Sequence, residues 1–262
     1  MLEKVLELFK DDRIDVEETK EMLLRVFYEE APEFFLDAHR EKRTGFPEVV
    51  LSEGKTIEQL LGIVERLLKI KPLVFVSSIN DERQGVLERE FQGYTTKRAG
   101  RLLVIRKASL NPLVEGRVGI ITAGTSDIGY AGECALYLEE LGADVVKFYD
   151  AGVSGPHRAA LGLKRLKDVD LVIVLAGMDG VLPAIIASIT DLPVIGVPVP
   201  GGYGLGRDGE GALVTMLQSC VPGLLVVNIG NTLGAAAGAV RMLRGMRKSR
   251  LGQDSKTEKA DK

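Results

Sequence analysis

"GRVGIITAGTSDIGYAGECALYLEELGADVVKFYD", residues 116–150, decides the fold of the larger part of this chain. An apolar run ends in the Gly/Thr/Ser turn "AGTSD", a helical stretch follows, and a second strand-like run opens at Asp144. The alternation then repeats. Turn "AGVSGP" leads into helix "HRAALGLKRLKD", and strand "DLVIVLA" leads through "GMDGVLP" into helix "AIIASIT". Strand "PVIGVPV" runs into the Gly-rich "PGGYGLGRDGEG". Helix "ALVTMLQS", strand "GLLVVN" and helix "TLGAAAGAVRMLRGM" complete the series. Short, nearly continuous apolar strands between helices argue for a parallel sheet covered on both faces. Right-handed crossovers then give a three-layer α/β/α sandwich. This domain is expected over 113–246, followed by a polar tail, 247–262, that composition reads as disordered.

Working outward, residues 1–112 have a different texture and read as a smaller α+β domain. "LEKVLELF" carries Leu2, Val5, Leu6 and Phe9 at helical spacing. "DVEETKEMLLRVFYEEA" opens on Asp15 with Glu18 three residues on, the signature of a capped helix start. "KTIEQLLGIVERLLKI" puts Ile57, Leu60, Leu61, Val64, Leu67 and Leu68 on one face. "PLVFVSS" (72–78) and "RLLVIRK" (101–107) read as strands, with a helix or turn at "DERQGVLERE" between them. The fold class is therefore α/β, a parallel-sheet C-terminal domain preceded by an α+β N-terminal one.

Bulk properties exclude several functions. The 262 residues are 45% hydrophobic and 27% charged, as in globular proteins generally. A net charge of −3 offers no basic field for nucleic acid. No apolar run is long enough to span a bilayer, and the charged N-terminus lacks a signal-peptide core. Two cysteines make no disulfide framework, so a cytoplasmic setting is expected. No His/Cys/Asp cluster has zinc-ligand spacing.

In an open parallel sheet, ligands bind beyond the carboxyl ends of the strands, so the turns that follow them belong together. Helix N-termini there offer unpaired N–H groups to a phosphate. In "AGTSD", Gly124 lets the backbone approach an anion, Thr125 and Ser126 can donate hydroxyls, and Asp127 brings a carboxylate. Ser126 and Asp127 are equally good helix caps, and the two readings can coexist. His157, in "SGPH", stands at a helix start. There it is either a proton carrier or an exposed first-turn residue. "GGYGLGRDGEG" lacks the setting of a dinucleotide fingerprint and the Lys-Ser/Thr of a P-loop, and reads as a flap over the site.

The two cysteines differ. Cys134 shares a helix face with Ala131 and Leu138, which makes it core packing. Cys220 lies where a helix gives way to Pro222-Gly223 and a strand. It is either a small buried filler or a nucleophile. A helix C-terminus disfavours an anion, so a nucleophilic role would require a cation nearby, such as a positively charged substrate ring.

Taken in order, "GTSD", "GPHR", "AGMDGVLPA" and "LQSCVPGLLVVNIG" resemble the turns of the AIR carboxylase (PurE) family, whose catalytic fold is flavodoxin-like. The histidine of that family's "AAHLPG" turn is missing, with Asp179 and Gly180 in its place. "HREKRTGFPEVVLSEGKT" (39–56) is similar to the "RxGFPEVxxxEGKT" signature of the LarB family, carboxylase/hydrolases of nickel-pincer cofactor biosynthesis. Members of that family often carry glutamate where Asp179 stands.

The LarB resemblance implies carboxylation of nicotinic acid adenine dinucleotide at pyridinium C5. It also implies cleavage of the phosphoanhydride, giving AMP and pyridinium-3,5-biscarboxylic acid mononucleotide. It further implies CO₂ or bicarbonate as co-substrate, magnesium as the assisting ion, no organic cofactor, and Cys220 as the nucleophile. On that basis Asp127 and His157 handle protons, and Gly124, Thr125 and Ser126 hold phosphate. Gly177, Met178 and Gly180 line the ring pocket, Asp179 between them binds substrate, and Gly202, Tyr203 and Gly204 close over the pocket. The magnesium ligands are unassigned. The partners expected are the dinucleotide and further copies of the chain, in a dimer-based assembly of up to eight. The small apolar stretch "TLGAAAGAVRML" suits helix packing between subunits or within one. The alternatives are a mutase acting on an imidazole ribonucleotide and a non-catalytic nucleotide-binding module.

Overall fold

The computed structural model describes residues 2–27, 29–31, 34–37, 40–107 and 111–260. The chain divides into two compact units, Met1–Leu110 and Asn111–Lys262.

The first unit opens with two paired amphipathic helices, α1 (Leu2–Lys10) and α2 (Val16–Phe27). Asp15 caps α2 as its spacing predicts. Glu18 N–H donates to Asp15 Oδ1 at 2.7 Å, and Asp15 N–H donates to Glu18 Oε2 at 3.0 Å. The helical pattern predicted through Ala31 stops earlier, because β1 (Glu29–Ala31) pairs antiparallel with β2 (Phe34–Leu36). A short helix, α3 (Arg40–Thr44), precedes β3 (Val49–Leu51). Next come α4 (Ile57–Ile70), β4 (Leu73–Ser77), α5 (Asp81–Glu90), β5 (Thr95–Ala99) and β6 (Leu102–Arg106). The sheet order is β3-β4-β6-β5, with β3 parallel to β4 and the other pairs antiparallel. The amphipathic face of α4 buries Leu60, Val64, Leu67 and Leu68 against Val74, Val76, Leu103 and Ile105. Strand β5 carries no alternation for the sequence to show. It is a charged edge strand, held by its bonds to β6 and not by burial.

The second unit holds β7 (Arg117–Thr122), α6 (Ile128–Glu140), β8 (Asp144–Phe148), α7 (His157–Arg165) and β9 (Leu171–Ala176). It continues with α8 (Leu182–Ser188), β10 (Val194–Pro198), α9 (Glu210–Leu217), β11 (Leu224–Val226) and α10 (Thr232–Ala260). All five strands are parallel, in the order β11-β10-β9-β7-β8. The α/β reading of the sequence is correct. Strands β9 and β10 are buried along their whole length, which explains their unbroken apolar runs. The small residues of α10, Ala235, Ala236 and Ala239, are fully buried and let it pack on α6 within the same chain. That helix continues to Ala260, through the segment that composition marks as a disordered tail. The tail is polar, but its Lys, Arg, Gln, Glu and Ala are strong helix formers that propagate an existing helix. No helix among the described residues is long and apolar enough to cross a membrane.

Thr56 closes a capping box at the start of α4. Its hydroxyl accepts from Gln59 N–H at 3.2 Å, and Thr56 N–H donates to Gln59 Oε1 at 3.0 Å. Thr56→Ala is expected to destabilise the protein by about 1 kcal/mol in urea unfolding, with an unchanged m-value.

Candidate functional site

The strand order reverses at β7, which lies between β8 and β9. Helices leaving β7 and β9 cover opposite faces of the sheet, so their turns diverge and open a crevice at the carboxyl edge. A cavity of about 290 Å³ occupies that place. Its floor is the turn after β7, with Gly124, Ser126 and Asp127. One wall is the loop after β8, Gly152–Ser154, and the other is Gly177, Met178 and Asp179 after β9. Gly201 and Gly202, after β10, form the rim. The turns fit closely: a Cβ at Gly152 would lie 2.8 Å from Ala123 O, and one at Gly177 would lie 3.7 Å from Asp127 Oδ1.

Asp127 is the chemical centre of this floor. It is 4% exposed. Its Oδ2 accepts from Gly124 N–H at 2.8 Å, and its Oδ1 accepts from the Ser126 hydroxyl at 3.2 Å. The side chain thus closes the short turn Thr125–Asp127 behind it and makes no cap bond to α6. Burial raises its pKa above the ordinary carboxylate value, against the opposing pull of these hydrogen bonds. A carboxyl in this state takes up a proton more readily than a solvated one.

The structure brings together Gly124, Ser126, Asp127, Gly177, Met178, Asp179 and Gly202 of the predicted site. Thr125 is exposed and does not line the cavity. His157 is exposed at the first position of α7 and also lies outside the lining. His39 falls outside the described residues. Tyr203 is 84% exposed and, with Gly204, stands beyond the rim and does not close over it.

Gly180 has a packing role. Its φ is +67°, and a Cβ there would lie 2.6 Å from both Ala212 Cα and Ala212 O of α9. Met178 is in the left-handed region at φ +49°. Its sulfur rests against Gly202, where any side chain would collide with it. The two turns of the rim therefore touch through this side chain.

The sequence sets the turn 152–158 among those at the site, but it singles out neither Gly152–Ser154 as lining nor the residue that holds them. Arg158 Nη1 donates to Asp150 O at 3.0 Å and to Asp150 Oδ2 at 2.8 Å, and Nη2 donates to Ser154 Oγ at 3.1 Å. The turn itself was visible in "GVSGPHR"; the arginine's inward strap was not, because it depends on the loop folding back. Cys134 is fully buried with Sγ 3.7 Å from Thr232 O, as core packing requires.

Cys220, the expected nucleophile, is exposed but does not line the cavity. Helix α9 starts beside the cavity, with Ala212 against Gly180, and passes Gly196 at mid-strand with Met216. The chain then turns into β11, whose Leu224 pairs with Val194, the first residue of β10. Cys220 therefore lies at the amino edge of the sheet, opposite the cavity. Among the described residues, no three His, Cys, Asp or Glu groups converge on a metal site.

Residues 117–261 match the AIR carboxylase family. The chain belongs to that family. Residues 28–107 match the LarB/PurE-like N-terminal domain, so the arrangement is of the LarB type. An uncharacterised protein of Methanocaldococcus jannaschii is 38% identical over 242 residues, covering 89% of this chain and 93% of that protein. The N5-carboxyaminoimidazole ribonucleotide mutase of Pyrococcus horikoshii is 36% identical over 143 residues, 54% of this chain and 77% of that one. The corresponding Thermotoga maritima mutase is 32% identical over 130 residues, 47% and 74% of the two chains. AIR carboxylase membership makes this chain an enzyme of the carboxylase class.

Two tests follow from the geometry. Gly180→Ala should lower stability by about 1–3 kcal/mol, because it strains a left-handed position and pushes α9 off its seat; chemical denaturation reads this directly. Asp127→Asn should change stability in a pH-dependent way. Below the ordinary carboxyl value both states of the wild type are protonated, and the variant matches it. As pH rises through the raised folded value, the wild type must bury a charge and loses stability. The variant's Tm should equal the wild type's at about pH 3 and exceed it at about pH 7.

Proposed function

We propose that this enzyme carboxylates the pyridinium ring of nicotinic acid adenine dinucleotide and cleaves its phosphoanhydride, yielding AMP and pyridinium-3,5-biscarboxylic acid mononucleotide. The observation that carries the reading is a family cavity holding two carboxylates, Asp127 and Asp179, and no imidazole. Anionic groups favour a cationic ring over the neutral imidazole of the mutases' substrate. The LarB-type N-terminal domain points the same way, since the mutase matches cover about half of this chain.

The chemistry suits these groups. A pyridinium carbon is an electrophile and does not attack CO₂. Addition of a thiolate forms a C–S bond, sends an electron pair into the ring and discharges the ring nitrogen. The resulting enamine attacks CO₂ through C5. Loss of the C5 proton and departure of the thiolate restore the aromatic cation. Asp127, with its raised proton affinity at the floor, is the group placed to accept that proton. Gly124 and Ser126 hold that carboxyl in place through their hydrogen bonds to it. Water then cleaves the anhydride, one P–O bond breaking for one formed. Asp179 is exposed at the rim, with Val181 N–H on its Oδ1 at 3.3 Å, and fits a magnesium ion carried in on the substrate's phosphates. Such an ion would supply charge neutralisation for the cleavage.

The second reading, a mutase using an imidazole ribonucleotide, draws on the names of the Pyrococcus and Thermotoga relatives. It needs no thiol. Mass spectrometry of the products from the dinucleotide, ¹³C-bicarbonate and magnesium separates the two. The expected result is a labelled dicarboxylate mononucleotide plus AMP, none from Cys220→Ala, and a kcat about 10²–10⁴ lower for Asp127→Asn. Turnover of an aminoimidazole ribonucleotide that survives Cys220→Ala, with no labelled pyridinium product, sinks the proposal.

A further inference from the structure

We propose that the first unit carries a proton-operated latch: Glu48, when neutral, holds the segment between β2 and β3 closed, and its ionisation lets that segment open. The latch belongs to the first unit alone and is independent of the chemistry assigned to the second.

Residues 36–48 form a closed excursion from the core of this unit. Leu36, the last residue of β2, is 2% exposed and packs in that core. Phe46 is 4% exposed and stacks on Phe75 of β4, with ring centroids 6.3 Å apart. Helix α3, between these two apolar anchors, buries no residue of its own. The β1–β2 hairpin pairs with no other strand among the described residues, so Leu36 and the contacts of this excursion hold it to the sheet.

Glu48 stands at the return, one residue before β3. Its carboxylate accepts from the N–H of Asp37, the residue after β2, so one side chain joins the departing end to the returning end. Its Oε2 is buried and, among the described residues, meets no donor. Such an oxygen costs far less in a neutral carboxyl than in an anion. The charged groups facing Glu48 are Asp37, Arg40 of α3, and Lys71 between α4 and β4. Asp37 is a like charge and is paired with Arg43. Arg40 is exposed to solvent, and Lys71 Nζ lies 3.8 Å from Glu41 Oε2, so neither cation is committed to Glu48 alone. Arg106, opposite Leu73 of β4, and Lys107 also stand at this end of the sheet. Burial first, and then Asp37, raise the proton affinity of Glu48 above that of an ordinary glutamate.

In the closed segment Glu48 therefore holds its proton more tightly than in the open one, where water solvates the carboxylate. The closed form has its full advantage below the ordinary glutamate value and loses it as pH rises through the raised value. The proton passes to water, and the buried oxygen gains water in turn when the chain around Asp37 and α3 lifts from the return.

Hydrogen exchange of the full chain, read by mass spectrometry from about pH 4.5 to about pH 8 and corrected for intrinsic exchange, measures opening of residues 37–48. Protection of this segment should fall about three- to tenfold across that range, while protection of β4 stays constant. Glu48→Gln, whose amide oxygen can still accept from Asp37 N–H, should keep the low-pH protection throughout. Asp37→Asn should reduce the fall without removing it, since burial is the larger cause. His39 lies outside the described residues and titrates in the same range, so His39→Gln is the control and should fall as the wild type does. A flat wild-type profile, a Glu48→Gln profile that falls with it, or a fall lost in His39→Gln overturns the latch. An equal fall in β4 also overturns it, because the whole unit then opens and not the segment. Should Glu48→Gln stand open at every pH, Asp37→Asn decides: a reduced fall supports the latch and an undiminished one overturns it.

Discussion

Every crossover in a parallel sheet must return the chain from the carboxyl edge to the amino edge, and the second unit of this enzyme is built on that requirement. Four successive strand ends open on one edge, and the strand reversal at β7 splits their turns into a crevice. The same rule carries α9 away from the crevice and delivers Cys220 to the other side. The cavity and the separation of the thiol from it therefore have a single cause.

Within the crevice, electrostatics is decided by depth. Asp127 and Asp179 are the same side chain, yet burial raises the proton affinity of Asp127, while Asp179 remains exposed at the rim. Two carboxylates in one cavity can thus divide proton transfer from attraction of positive charge. The hydrogen bonds to Asp127 come from its own turn, so the group is pre-placed before any substrate arrives. The Met178–Gly202 contact and the Arg158 strap do the same for the rim and wall.

The mutases of Pyrococcus and Thermotoga match about half of this chain. The N-terminal unit, with its own sheet and core, matches the LarB/PurE-like N-terminal domain. Differences in substrate between such enzymes fall naturally on the turns, because the strands beneath them are packed on both faces and tolerate little change.

Much of this was legible in the residues. Strands β7 to β11, the helices between them, the capping of α2 by Asp15 and the core face of α4 were all readable, because local periodicity and caps report on burial one element at a time. So was the cluster of turns, because strand direction assigns them to one edge. Strand β5 and the pairing of β1 with β2 were not, since those short segments take their conformation from a partner strand. Gly180 looked like pocket lining and proved to be the seat of α9, which depends on where a distant helix lands. Cys220 shows the limit most plainly. Its residue type, its place between helix and strand and, through strand direction, the edge it occupies are written in the sequence, but its distance from the cavity is not. What it can touch is decided only by tertiary structure, because distance through a fold is not distance along a chain.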